Sequence, residues 1–197
     1  MVVEEVQDLD YKEEIRRKTR MPLLWIGLGS IVMLFAALTS AVIVSKSSRD
    51  WTTFDLPQSF TYSTIVILLS SLAYWWAYKG AKSDNVDQLK KGVLATMILG
   101  LSFAALQVNG WRGLVAEGVF FAGASSTVSG SYIYVISGLH LAHLVGGLVS
   151  LGVVYFKASR GRYSINNLLG LQASMTYWHF LDGVWVYLYF FLNFIAL

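Results

Sequence analysis

The three histidines of the chain and one aspartate stand inside long apolar stretches, His140 and His143 in one, His179 and Asp182 in another. Each pair has i, i+3 spacing and so lies on one face of a helix. Imidazole and carboxylate groups at such positions can ligate haem or metal, carry protons, or clasp helices together by hydrogen bonds. Haem ligation by two histidines fits poorly, because i, i+3 histidines cannot reach opposite faces of one haem and four ligands for two haems are missing. A metal site from three histidines and one aspartate is a chemically adequate set. A proton or ion path would normally need ionisable groups on several helices, and the first three apolar stretches carry none at mid-depth. A structural clasp asks least, with each hydrogen bond worth about 1 kcal/mol inside a membrane. An aspartate there costs several kcal/mol unless it is paired or protonated. His179, one turn earlier, is its intrahelical partner by spacing, and His143 is an interhelical candidate. The residue chemistry favours the clasp of His140, His143, His179 and Asp182.

No other chemistry is visible. With no Cys in the chain, a disulfide framework and a thiolate site are excluded. A nucleophile–base pair, a glycine-rich phosphate loop and a carboxylate pair are all missing from the sequence. The expectation is a chain with no catalytic residues that binds no haem, copper or other metal of its own.

The elements that must position these residues are membrane spans. Of 197 residues, 55% are apolar, 15% aromatic and only 14% charged, and mean hydropathy is +0.54. A soluble domain holds about 25% charged residues, so this chain has too few charges to cover so much apolar surface. Disorder is excluded by the same numbers. A bilayer core about 30 Å thick needs about 20 apolar residues in a helix. Five segments meet that, at about 22–44, 59–78, 92–108, 132–156 and 168–194. None alternates with period two, which argues against an outer-membrane barrel. The class is all-α: a polytopic membrane protein of five transmembrane helices (residues 22–197), preceded by a charged tail, residues 1–21.

Pro22 suits the first turn of span one. The tail, with six acids and five bases in its first 20 residues, reads as a solvated segment, helical around Asp10 to Arg20, rather than a secretory signal. The patch Leu114 to Gly123 is too short to span and either extends span three or lies at the interface. Small residues recur at four-residue steps in span three (Gly92, Thr96, Gly100, Ala104) and span four (Gly138, Ala142, Gly146), which favours close helix packing. Trp75, Trp76 and Tyr78 close span two as an aromatic belt does.

Lys and Arg set the orientation. The tail and the loops after spans two and four hold twelve of the fifteen; the loops after spans one and three hold three. The N-terminus is therefore expected in the cytoplasm and the C-terminus in the periplasm. The net charge of +3 serves topology, and no nucleic-acid partner is expected.

Span five reads Tyr177-Trp178-His179-Phe180-Leu181-Asp182-Gly183-Val184-Trp185. It closely resembles the YWHFVDxVW signature of subunit III of haem–copper terminal oxidases. Gly138-Leu139-His140-Leu141-Ala142-His143-Leu144-Val145-Gly146 resembles that family's GxHxxHVxxG segment. Ser63-Thr64 followed by Leu68-Leu69-Ser70-Ser71 is similar to its STxxLLLSS stretch, and Leu99-Gly100-Leu101-Ser102-Phe103 with Gln107 and Trp111 to its LGxxFxxxQxxEW stretch. The resemblance covers about residues 22 to 195 and fits the short, five-helix bacterial form. Three family glutamates are replaced, at Ile31, Gly110 and Gln172.

The resemblance implies a subunit without redox centres in the bacterial inner membrane. It implies packing on subunit I, which carries the haems and copper, with subunits II and IV as further partners and a respiratory supercomplex as a wider setting. It also implies bound phospholipid and support of proton uptake during oxygen reduction by cytochrome c oxidase. The competing reading is a stand-alone transporter or ion channel using His140, His143, His179 and Asp182.

Overall fold

The computed structural model describes residues 2–48, 51–123, 126–161 and 168–196; the side chains of 1–18, 20 and 195–197 lie outside the description. The described residues form five helices: α1 (Val2–Ser45), α2 (Gln58–Lys82), α3 (Val86–Ala116), α4 (Val128–Ser159) and α5 (Leu169–Ala196). The protein is an all-α, polytopic membrane protein. Met21–Ser45 of α1 and the whole of α2, α3 and α4 are long and apolar enough to cross a membrane. α5, at 28 residues, is longer than α2 and rich in aromatic residues.

The helices overrun the expected spans. α1 does not start at Pro22 but runs 44 residues from Val2, with Pro22 inside it. Pro22 lacks the N–H that would bond one turn back, yet adding residues to an existing helix is cheap compared with nucleating one. The tail also spaces Glu13–Arg17 and Glu14–Lys18 at i, i+4, a helix-supporting pattern. Arg49 and Arg162, two of the charges used for orientation, lie outside the described residues. α3 begins at Val86, six residues before the expected span, because Asn85 caps it: its side chain accepts from Gln88 N at 3.0 Å. It ends at Ala116, so the start of the Leu114 to Gly123 patch is helical. Beyond it, Val119 is buried, and its carbonyl accepts from Tyr134 Oη at 2.8 Å. Thr127 caps α4 by accepting from Gly130 N at 3.2 Å. The tight α2–α3 connection turns at Asp84, in the left-handed region with φ 57°, a conformation Asp tolerates better than most residues.

α4 and α5 each pack against three other helices, α2 against two. α2 packs along α3 on one side and α5 on the other, α4 joins α3 to α5, and α1 rests on α4 and α5. The α2–α3 approach is close because glycines line it. A Cβ on Gly92 would lie 2.5 Å from Ala77 Cβ and 2.8 Å from Ala77 Cα, and one on Gly110 would lie 2.7 Å from the Phe60 ring.

The small-residue stripe of span four does not serve this purpose. Gly138 has nothing within 4 Å of where a Cβ would stand, Ala142 is exposed, and Gly146 meets only the Tyr177 hydroxyl at 3.5 Å. The buried face of α4 is one step around the helix: Ile136, His140, Leu144, Gly147, Leu151 and Val154. Gly147 makes the close approach: a Cβ there would lie 3.0 Å from the Trp178 ring. The neighbouring glycines lie on the outer side.

Candidate functional site

α2 and α5 run antiparallel, and a line of hydrogen bonds joins them along their length. Near the α2 C-terminus Gln172 Nε2 donates to Tyr78 Oη at 3.1 Å. Next, Ser71 meets His179 and Asp182, and Trp178 Nε1 donates to Ser70 Oγ at 3.0 Å. Further along, Trp185 Nε1 donates to Thr64 Oγ1 at 3.0 Å, and Thr61 and Tyr189 hydroxyls meet at 2.9 Å. The spacing has a simple cause. Ser63/Ser70 and Thr64/Ser71 are seven residues apart, as are Trp178 and Trp185, and seven residues are close to two helical turns.

Ser71 is the junction of the polar group. Its hydroxyl donates to Asp182 Oδ2, and His179 Nδ1 lies 2.8 Å from Ser71 Oγ. A hydroxyl carries one proton; with that proton on the carboxylate side, the imidazole Nδ1–H is the donor to Ser71. Asp182 is 3% exposed, so it faces protein. Its second oxygen, Oδ1, has no hydrogen-bond partner among the described residues.

The four residues singled out by type are not brought into one hydrogen-bonded cluster. His179 and Asp182 meet through Ser71 of α2. His143 turns back on its own helix, with Nδ1 2.7 Å from the Leu139 carbonyl, while Tyr177 Oη donates to the His143 carbonyl at 3.0 Å. His140 is fully buried among rings, with Trp185 at 5.0 Å, Phe103 at 5.9 Å and Phe35 at 6.2 Å between centroids. The reason is rotational. An i, i+3 pair points about 60° apart around the helix, enough for His140 to enter the core while His143 reaches a partly exposed edge. Among the described residues no group of three or more His, Cys, Asp or Glu is placed to hold a metal ion.

The remaining motif residues pair with one another across helices. Gln107 Nε2 donates to Ser63 Oγ at 2.8 Å, and Trp111 Nε1 to Ser137 Oγ at 2.9 Å. Thr64 and Ser63 each also donate to the Phe60 carbonyl at 2.8 Å. Type and spacing alone did not single out Ser137, Thr61 or Tyr189, and marked Tyr78 only as part of an aromatic belt, since a lone hydroxyl in an apolar run carries no periodic signal. The three positions where family glutamates are replaced are each filled. Ile31 packs against the core, Phe60 occupies the space beside Gly110, and Gln172 reaches Tyr78.

The sequence profile of the family described as Cytochrome c oxidase subunit III matches residues 49–196, leaving α1 outside the matched stretch. The chain is 30% identical over 127 residues to "Cytochrome c oxidase subunit 3" of Spodoptera frugiperda, covering 64% of this chain and 82% of that protein. It is 33% identical over 140 residues to "Probable cytochrome c oxidase subunit 3" of Rickettsia prowazekii (strain Madrid E), covering 70% of this chain and 47% of that protein. The Rickettsia conorii (strain ATCC VR-613 / Malish 7) protein of the same name is 29% identical over 143 residues, 70% of this chain and 46% of its own length. The chain thus spans about half the length of these bacterial relatives. A profile match over most of the chain has one reading: the chain belongs to the cytochrome c oxidase subunit III family.

Proposed function

We propose that the chain is an accessory, non-redox subunit of an aerobic respiratory haem–copper oxidase of the cytochrome c oxidase type. In this reading it packs on the catalytic subunit I, with subunits II and IV in the same complex, and supports the stability and proton uptake of that complex while it reduces oxygen. The observation that carries the proposal is the family match over residues 49–196, which takes in the α2, α3, α4 and α5 motifs. Haems and copper belong to the partner subunits, and phospholipid fills the grooves left on this chain's apolar surface. The complex sits in the bacterial inner membrane, in a respiratory supercomplex where one is assembled.

Residues 22–197 act as one five-span unit behind the 1–21 tail, with the N-terminus cytoplasmic and the C-terminus periplasmic. Support for this comes from the distribution of Lys and Arg, twelve on one side and three on the other. His179 and Asp182, joined through Ser71, serve as a structural clasp between α2 and α5, while His140 and His143 brace α4 in the core and at its edge.

The test is to purify the chain from its native membrane through a tag and record a visible spectrum. Co-purification of a haem-rich complex with oxidase activity is the expected result. A colourless, monodisperse species would favour a stand-alone transporter or channel instead.

A further inference from the structure

His140 and Gln107 are side chains that the α2–α5 seam does not use fully. His140 is wholly buried, and neither ring nitrogen has a hydrogen-bond partner among the described residues. Gln107 is 1% exposed; its amide nitrogen is held by Ser63, and its Oε1 has no partner among the described residues. The orientation of that amide is fixed by its neighbour. Ser63 gives its own proton to the Phe60 carbonyl, so Gln107 must present its N–H there and its carbonyl oxygen elsewhere.

The contacts around them place the two residues in one layer. On α3, Gln107 stands one turn from Phe103 and one turn from Trp111, on a shared face. Phe103 packs edge-on against His140, and Trp111 bonds to Ser137, one turn before His140 on α4. Phe103 also touches Trp185, which bonds to Thr64, the neighbour of Ser63. Gln107 and His140 therefore lie within about one helical turn of each other in depth on adjacent helices, with an acceptor on one and a donor and an acceptor on the other. A neutral imidazole has one N–H and one bare nitrogen. Buried polar groups are satisfied by protein or by ordered water, and among the described residues no protein group bonds to either His140 nitrogen or to Gln107 Oε1.

We infer that an ordered water molecule bridges His140 and Gln107 in the core of the bundle, accepting from the imidazole N–H and donating to Gln107 Oε1. The bridge joins α3 to α4 at the level where Trp185 joins α5 to α2. It gives His140 a role distinct from the Ser71 group: it orders the aromatic layer rather than the α2–α5 seam.

The test is a density map of the chain, purified from its membrane with whatever accompanies it, at a resolution that shows ordered water elsewhere in its interior. The expected result is a peak within hydrogen-bond distance of both Gln107 Oε1 and one His140 nitrogen, lost in Gln107→Met with neighbouring rings in place. A map with no such peak, or with direct Gln107–His140 contact, would overturn the inference. So would a peak that persists unchanged in Gln107→Met. Each of these readouts is independent of whether the accompanying protein is an oxidase.

Discussion

Trp178 of α5 donates its indole N–H to Ser70 of α2 at 3.0 Å while its ring lies against Gly100 of α3 and Gly147 of α4. One side chain thus touches three other helices. The glycines are what let it do so, since a Cβ on Gly100 would stand 2.7 Å from Trp178 Cη2. Trp178→Phe removes the donor and part of the ring that lies on Gly100 and Gly147. Its expected cost is about 2–3 kcal/mol, an interhelical hydrogen bond of about 1 kcal/mol plus the cavity left by a large-to-small core change. Ser70→Ala should cost about 1 kcal/mol, and the double variant little more than Trp178→Phe alone, as checked by thermal unfolding of the three purified proteins.

Glycines on opposite sides of the bundle should behave differently. Gly92→Ala forces a Cβ to 2.8 Å from the Ala77 backbone, which cannot yield as a flexible side chain would. The expected destabilisation is about 1–3 kcal/mol, the range of overpacked cores. Gly138→Ala meets nothing within 4 Å and should be neutral or slightly stabilising, because Ala has the better helix propensity. Melting temperatures of the two variants, measured side by side in one detergent, would show the contrast. Equal effects would mean the α2–α3 approach is looser than described.

The Ser71 junction predicts coupling between α2 and α5. Asp182→Ala should loosen this pair and reduce retention of the subunit in its complex, while the haem content of what remains is unchanged. Ser71→Ala should give a weaker form of the same defect, and adding it to Asp182→Ala should do little more. Subunit stoichiometry after detergent extraction reads this out. If Asp182→Asn instead left assembly intact but cut turnover sharply, the carboxylate would belong to a proton path rather than a clasp.

Orientation can be tested directly. The split of basic residues predicts that a reporter fused after residue 197 is active in the periplasm and that one fused in the α2–α3 connection, near Ser83, is active in the cytoplasm. Cytoplasmic activity at the C-terminal fusion would require an even number of crossings.

Much of the fold is written in composition. Long apolar runs with few charges make spanning helices, because a backbone surrounded by lipid must satisfy its own hydrogen bonds. The five apolar segments, the aromatic belt at Trp75 and Trp76, and the family signature around His179 can be read residue by residue. Helix ends are less legible, because they depend on caps such as Asn85 and on extension past the lipid boundary, as at α1.

What only the tertiary structure decides is which face of each helix turns inward. In water an apolar stripe marks the buried face. A helix that is apolar all round, as α4 is, carries no such stripe, so packing chose Gly147 over Gly138 and Gly146. The same ambiguity hid the partner of Asp182. Sequence spacing pointed to His179 and the histidines of α4. The antiparallel register of α2 and α5 brought in Ser71 instead, because a two-turn repeat of hydroxyls on one helix meets the two-turn repeat of Trp178 and Trp185, with His179 and Asp182 between them, only when the two lie side by side.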